Sequence, residues 1–307
     1  MVVVFETVHG SRAYGLESPT SDVDKKGVFV PDARVLHGFT PGPEQVQPEP
    51  ERVLYDVRKF FALAEACNPT VVEILFTDPS DHVNVTEEGR LLLKQRDVFL
   101  SRRARDSFGR YAFSQLKRIR THRRWLLEPP AKRPERKDFG LPESEPLIPR
   151  EQRGAAEAML EKGTIAASDI PPNFLGALSR EKQFASAFTE WEQYQSWLKN
   201  RNPARAELER KFGYDAKHAS HLIRLLRMAA EILERGHVIV KRPDADELRA
   251  VREGSLSYDA LVAEAERMES RLDALTKASP LPDRPDHDVL DALCAELVER
   301  VLSRTSP

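Results

Sequence analysis

Apolar and polar positions follow one rhythm in the first third of the chain and another beyond it. Up to about residue 100 the apolar runs are short. Val2–Val8 is rich in β-branched and aromatic residues and stops at Gly10, Asp22–Val30 alternates and stops at Pro31, and Val53–Val57 is a third strand candidate. Phe60–Ala66 predicts a helix that ends before Asn68-Pro69, with Val71–Phe76 as a packing partner. From about residue 100 onward the spacing is helical, predicting helices near 102–128, 150–162, 174–199, 204–211, 215–235, 244–252, 257–275 and 287–303. The fold class expected is α+β: a small sheet domain over residues 1–100, then a helical domain over residues 101–307.

Prolines refine this division. Pro31, Pro41, Pro43, Pro48 and Pro50 exclude a long helix between the second and third strands and predict a surface loop. A second series, Pro129, Pro134, Pro142, Pro146 and Pro149, is interleaved with Phe139, Leu141, Leu147 and Ile148, so it is expected to lie along the protein as an extended connection.

Composition narrows the class further. A chain of 307 residues with 40% hydrophobic and 31% charged positions is long enough for two cores and is not a fibrous or disordered sequence. Its apolar runs fall far short of the ~20 residues that cross a bilayer. The segment Met1-Val-Val-Val-Phe5 lacks a basic leader, so a cytoplasmic location without membrane attachment is expected. Cys67 and Cys294 stand alone and read as reduced, buried thiols. The net charge of -2 conceals one uneven segment: between Ser101 and Arg124 there are Arg102, Arg103, Arg105, Arg110, Lys117, Arg118, Arg120, Arg123 and Arg124 against Asp106 alone. Such a run either meets a polyanion or is a helix face balanced by acids elsewhere.

The chemistry concentrates in His9-Gly10-Ser11-Arg12-Ala13-Tyr14-Gly15 and in Ser21-Asp22-Val23-Asp24. A strand running into Gly-Ser leaves backbone N–H groups free to cradle a phosphate. On a strand, residues two apart share a face, so Asp22 and Asp24 point the same way. In Val53-Leu54-Tyr55-Asp56-Val57 a lone acid sits among residues that favour burial, which is costly unless it is paired or liganded. Placed together, each pair of these anions would repel by about 4 kcal/mol at 4 Å and an effective dielectric near 20. A divalent cation relieves that repulsion, and an all-carboxylate set points to Mg²⁺ or Mn²⁺. Taken singly, Asp22 is also a plausible turn residue and Asp56 a plausible partner of Arg58 or Lys59.

Gly10-Ser11, Asp22, Asp24 and Asp56 together resemble the nucleotidyltransferase superfamily of DNA polymerase β. With Gly10-Ser11-Arg12-Ala13-Tyr14-Gly15-Leu16, Asn68-Pro69-Thr70 and Glu73, and Gly213-Tyr214-Asp215-Ala216-Lys217-His218-Ala219 with His221 and Arg224, the chain is similar to the bacterial nucleotidyltransferases of the YcgL type. Some of these, the RlaP-like proteins, are associated with RNA ligases and RNA repair. The resemblance implies a palm-like domain with a small mixed sheet, an NTP bound through two Mg²⁺ or Mn²⁺ ions, attack of a hydroxyl on the α-phosphorus and release of pyrophosphate. It further implies that Asp22 and Asp24 bridge both metals, that Asp56 ligates the catalytic one and helps deprotonate the hydroxyl, and that Gly10 and Ser11 hold the β- and γ-phosphates with Arg12 and Ser21 beside them.

The helical region adds a clue of its own. Asp215 is a predicted N-cap, after which Lys217, His221 and Arg224 fall on one helix face flanked by apolar positions, either as a site for the far phosphates or as a solvated stripe. Tyr111, Gln115 and Lys117 share a face in the basic segment and line a nucleotide or acceptor cleft unless Tyr111 is core. Trp125, Trp191 and Trp197 are expected to pack rather than to stack on bases. The leading expectation is a metal-dependent nucleotidyltransferase acting on an RNA end, in functional association with RNA ligase or repair enzymes. The alternatives are nucleotidylation of a protein or small-molecule hydroxyl, and a module that binds nucleotide or RNA without turnover.

Overall fold

A computed structural model of the protein describes residues 1–19, 21–201 and 203–305. The elements run β1 (Val2–Val8), β2 (Lys25–Val30), α1 (Ala33–His37), β3 (Gln45–Glu49), β4 (Arg52–Asp56), α2 (Val57–Glu65), α3 (Pro69–Leu75), β5 (His82–Val85) and α4 (Glu87–Lys94). There follow α5 (Ala104–Leu127), α6 (Arg150–Glu161), α7 (Pro172–Asn200), α8 (Pro203–Phe212), α9 (Ala216–Arg235), α10 (Ala245–Arg252), α11 (Tyr258–Ala278) and α12 (His287–Thr305). The fold is α+β. Among the described residues no helix is long and apolar enough to cross a membrane.

The sheet has the order β3-β4-β2-β1-β5. It is mixed: β1 pairs antiparallel with β2 and β5, β3 antiparallel with β4, and β2 parallel with β4. The strands predicted from the alternating pattern form its middle, and the two edges were not anticipated. Pro48 lies within β3, a position proline tolerates because an edge strand leaves one row of N–H groups unpaired. The four residues of β5 are too few to show a period.

The chain divides into two compact units, Met1–Thr121 with Lys211–Pro307, and His122–Arg210. This division differs from the expected boundary at residue 100, because the last helices pack into the first unit. Its core joins Val4, Phe5, Val28 and Val30 of the sheet to Phe60 of α2, Ile74 of α3 and Leu222, Leu225 and Leu226 of α9, while α12 lies against α2 and α4. Cys67 is buried there, and Cys294 is half-buried rather than fully so.

The second unit is held by aromatic rings. Trp125 stacks with His122 at 5.6 Å and meets Tyr194 and Trp197, while Trp191 packs against Phe188, so the tryptophans are packing residues. The proline-rich connection is anchored there by buried Leu141 and Ile148 and by an ion pair at 2.7 Å between Arg136 and the buried Glu181.

Candidate active site

β1 ends in a turn that brings the Gly-Ser motif against the start of β2. The His9 N–H donates to the Asp24 carbonyl at 2.8 Å, and the carbonyls of Gly10, Ser11 and Arg12 accept from Tyr14, Leu16 and Gly15. The segment Gly10–Gly15 is therefore a helical turn rather than a helix, and the amides at its N-terminal end have no intra-turn acceptor, as at any helix start. Gly10 is required twice over. Its φ is +72°, and a Cβ there would lie 2.5 Å from an Asp24 carboxylate oxygen.

The turn also shapes the acidic segment. The Arg12 guanidinium donates to the Ser21 carbonyl at 2.9 Å and to the Asp22 carbonyl at 3.3 Å, so it pins the loop instead of projecting toward a ligand. Ser21 Oγ accepts from the Ser18 N–H at 2.8 Å, closing the same loop. Asp22 is exposed and Asp24 half-buried.

The parallel register identifies the next carboxylate. Lys25 pairs with Arg52 and its N–H donates to the Glu51 carbonyl at 2.7 Å, which sets Asp24 beside Glu51 at the entrance to both strands. A hydrogen bond shared with Asp24, some desolvation and the charges of Asp22 and Asp24 raise the Glu51 carboxyl above its ordinary range. Crowded carboxylates that share a proton in this way are the electrostatic setting that a bound cation relieves. Asp24 and Glu51 thus bring two carboxylates together, with Asp22 near enough for its charge to act on Glu51, and carboxylate oxygens are the donors that Mg²⁺ and Mn²⁺ favour.

Asp56, expected to complete that set, lies elsewhere. It pairs with Phe29, five positions along β2 from Asp24, a separation of about 16 Å at ~3.3 Å per residue. An odd offset also turns it to the opposite face of the sheet. There it caps α2, accepting from the Arg58 N–H at 2.8 Å, and pairs with the Arg58 guanidinium at 3.0 Å and 3.1 Å. The lone buried acid of the third strand is thus accounted for by a cap and an ion pair. Glu51, just ahead of that strand, is the carboxylate that the register sets beside Asp24. The signal for it was present: Glu51 precedes its strand as Asp24 precedes β2.

Beneath the turn lies a buried polar network that joins α3 and α9 to the motif. Glu73 accepts from Tyr14 Oη at 2.5 Å and from Arg224 Nη1 at 2.6 Å, with His9 Nε2 at 3.2 Å from the same carboxylate. The Arg224 guanidinium stacks 3.7 Å above the Tyr14 ring. Burial works against the Glu73 charge, but Arg224, His9 and Tyr14 together outweigh it and hold the carboxyl far below its ordinary range. Burial lowers the His9 imidazole and raises the Tyr14 phenol well above its usual value. Lys26 lies nearby, mostly buried, its ammonium disfavoured by desolvation and sustained by Glu73 and Asp24.

The stripe expected on α9 therefore separates along its length. Asp215 caps the helix as predicted, accepting from the His218 N–H at 3.0 Å. Lys217 is exposed and His221 is half-buried, its Nδ1 at 3.0 Å from Arg224 Nη2. Arg224 itself is 1% exposed and committed to Glu73, so the expectation that it faces triphosphate is corrected: it holds the motif from behind. The C-terminal segment grips the turn further, as the Arg242 N–H donates to the Tyr14 carbonyl at 3.1 Å, Arg249 to Gly15 at 3.3 Å and Arg252 to Leu16 at 3.2 Å.

Comparison with known proteins agrees with this geometry. Residues 1–128 match a family described as RlaP, RNA repair pathway DNA polymerase beta family. No curated protein and no solved structure matches the chain. The segment similar to that family, residues 1–128, is the one that contains the Gly-Ser turn closed on the Asp-x-Asp segment at the entrance to β2.

Proposed function

We propose that the protein is a metal-dependent nucleotidyltransferase that moves a nucleoside monophosphate from an NTP to the hydroxyl of an RNA end, with pyrophosphate as the leaving group. The observation that carries this reading is the closure of the Gly10-Ser11 turn on Asp24, which the parallel register sets beside Glu51. In the reaction the acceptor O–H bond breaks, an oxygen–Pα bond forms, and the Pα–O bond to the β-phosphate breaks. Asp22, Asp24 and Glu51 would hold divalent cations, which would supply charge stabilisation to such an in-line displacement. Glu51, set beside Asp24 by the strand register, is the group we assign to receive the hydroxyl proton. The turn amides suit the β- and γ-phosphates, and the exposed Lys217 is suited to screening them. The RNA-repair description of the matching family supports RNA as acceptor and work alongside an end-joining enzyme.

Incubation with α-labelled NTPs, Mg²⁺ or Mn²⁺ and RNA oligonucleotides tests this. Label should move to RNA, and Asp22→Ala, Asp24→Ala and Glu51→Gln should each lower the rate by at least about a hundredfold, several kcal/mol of lost charge stabilisation. Asp56→Asn should stay within a few fold of wild type. Transfer that survives Asp22→Ala and Asp24→Ala would overturn the reading.

A further inference from the structure

The cations of the basic segment fall into two groups once their partners are known. Arg102 donates to the Leu281 carbonyl at 2.8 Å and lies 3.3 Å from Asp283, and Arg103 donates to the Glu65 carbonyl at 3.1 Å. Arg105 pairs with Asp273 at 2.7 Å and Arg120 approaches Glu266 at 3.8 Å. These side chains hold the fold together. Among the described residues Arg110, Lys117 and Arg118 have no carboxylate partner; Arg110 donates from Nε to the Asp106 carbonyl of its own helix, and all three are exposed.

These three lie on one side of α5. Ser107, Arg110, Tyr111, Ser114, Lys117 and Arg118 follow the spacing i, i+3, i+4, i+7, i+10 and i+11, a single helix face. Tyr111 is 48% exposed, unusual for a ring of its size, and it borders an open cavity of about 320 Å³ whose other wall includes Ala66, Asn68 and Pro69. That volume is at the small end of ligand sites and suits a single flat ring. Asn68 Oδ1 is taken by the Val71 N–H at 3.4 Å, and this bond makes no use of the amide's own donors. Tyr111 is also tied to the motif: its ring meets His221 edge-on at 5.8 Å, His221 contacts Arg224, and Arg224 binds the Glu73 carboxylate that receives Tyr14.

An exposed aromatic ring above a base-sized cavity, with a row of unpaired cations on the same helix face, is the combination by which proteins hold single-stranded nucleic acid. Every base offers a face to stack, and the cations follow the backbone. We propose that this face of α5 seats the acceptor RNA strand, with a base at its end on Tyr111 over the cavity and its phosphates on Arg110, Lys117 and Arg118. This rests on the nucleotidyltransferase reading for the identity of the strand as acceptor, but not for the binding itself.

Fluorescence anisotropy with a labelled single-stranded RNA of twelve nucleotides, without NTP or metal, tests the proposal on the full chain. Tyr111→Ala should weaken binding roughly tenfold and Tyr111→Phe should restore it, since stacking needs the ring and not the hydroxyl. The triple substitution of Arg110, Lys117 and Arg118 by Ala should lower the log–log salt slope by about 2, at ~0.7 for each phosphate left without its cation. Arg120→Ala, which removes a cation already facing Glu266, should leave the slope unchanged. Wild-type affinity in Tyr111→Ala, or an unchanged slope in the triple variant, would overturn the proposal, as would an equal fall in slope for Arg120→Ala. Since anisotropy requires no catalysis, RNA bound in this manner with no label transferred would instead remove the reaction and leave the strand seat standing.

Discussion

Glu73, Arg224, Tyr14 and His9 meet where water is excluded, with the half-buried His221 at their edge, and each protonation state there follows from its neighbours. A buried carboxylate is tolerated because a guanidinium and a phenol donate to it, and a buried guanidinium because it has that carboxylate and an aromatic face. His221 is on the losing side of the balance. Burial, and then the Arg224 charge, push its imidazole down to about 4, with His218 and Lys217 adding to the effect and Glu73 opposing it. An unfolded histidine takes up its proton near pH 6.5, whereas this one stays neutral in the folded chain until well below that. The folded state therefore binds fewer protons, and stability is lost as pH falls from about 6.5 toward 4. Urea midpoints at pH 7 and pH 5 should show wild type losing about 2 kcal/mol more than His221→Gln. Equal losses would mean that His221 is charged in the folded protein.

Among the elements, register decides what sequence spacing leaves open. β1, most of β2, β4 and every helix from α5 to α12 were legible to within a few residues, whereas Asp22 and Asp24 precede β2, so strand parity does not govern which way they face. Which residue of β4 stands beside Asp24 depends on how two distant strands align, and no local pattern records that. The structure aligns Lys25 with Arg52, which selects Glu51 and sends Asp56 to the far end and the other face. Likewise the helical period correctly grouped Lys217, His221 and Arg224, but depth along α9 is set by what packs over it, so the last of them is interior. Asp56 has an element-level role that can be measured. Asp56→Ala removes the acceptor for the Arg58 N–H at the start of α2 and leaves the Arg58 guanidinium unpaired, so it should destabilise the protein by about 1–2 kcal/mol in chemical denaturation. A change within experimental error would show that the cap contributes nothing.

At the scale of the whole molecule, the family match and the folding unit do not coincide. The match covers residues 1–128, but the unit that contains those strands also takes in Lys211–Pro307. From that later segment come Arg224, which neutralises Glu73, the backbone and arginine contacts that clamp Tyr14, Gly15 and Leu16, and the apolar face of α9, which belongs to the same core as Phe5 and Ile74. Removing one partner of a buried ion pair alone costs about 3–5 kcal/mol, a large part of the 5–15 kcal/mol by which domains are stable. A fragment of residues 1–128 would lose that partner together with the cover of its core. It should show no cooperative thermal transition and should bind hydrophobic dyes, while the full chain melts sharply. A fragment that unfolded in a single steep transition would place the site's structural support within the first 128 residues and leave α9 without the role assigned to it.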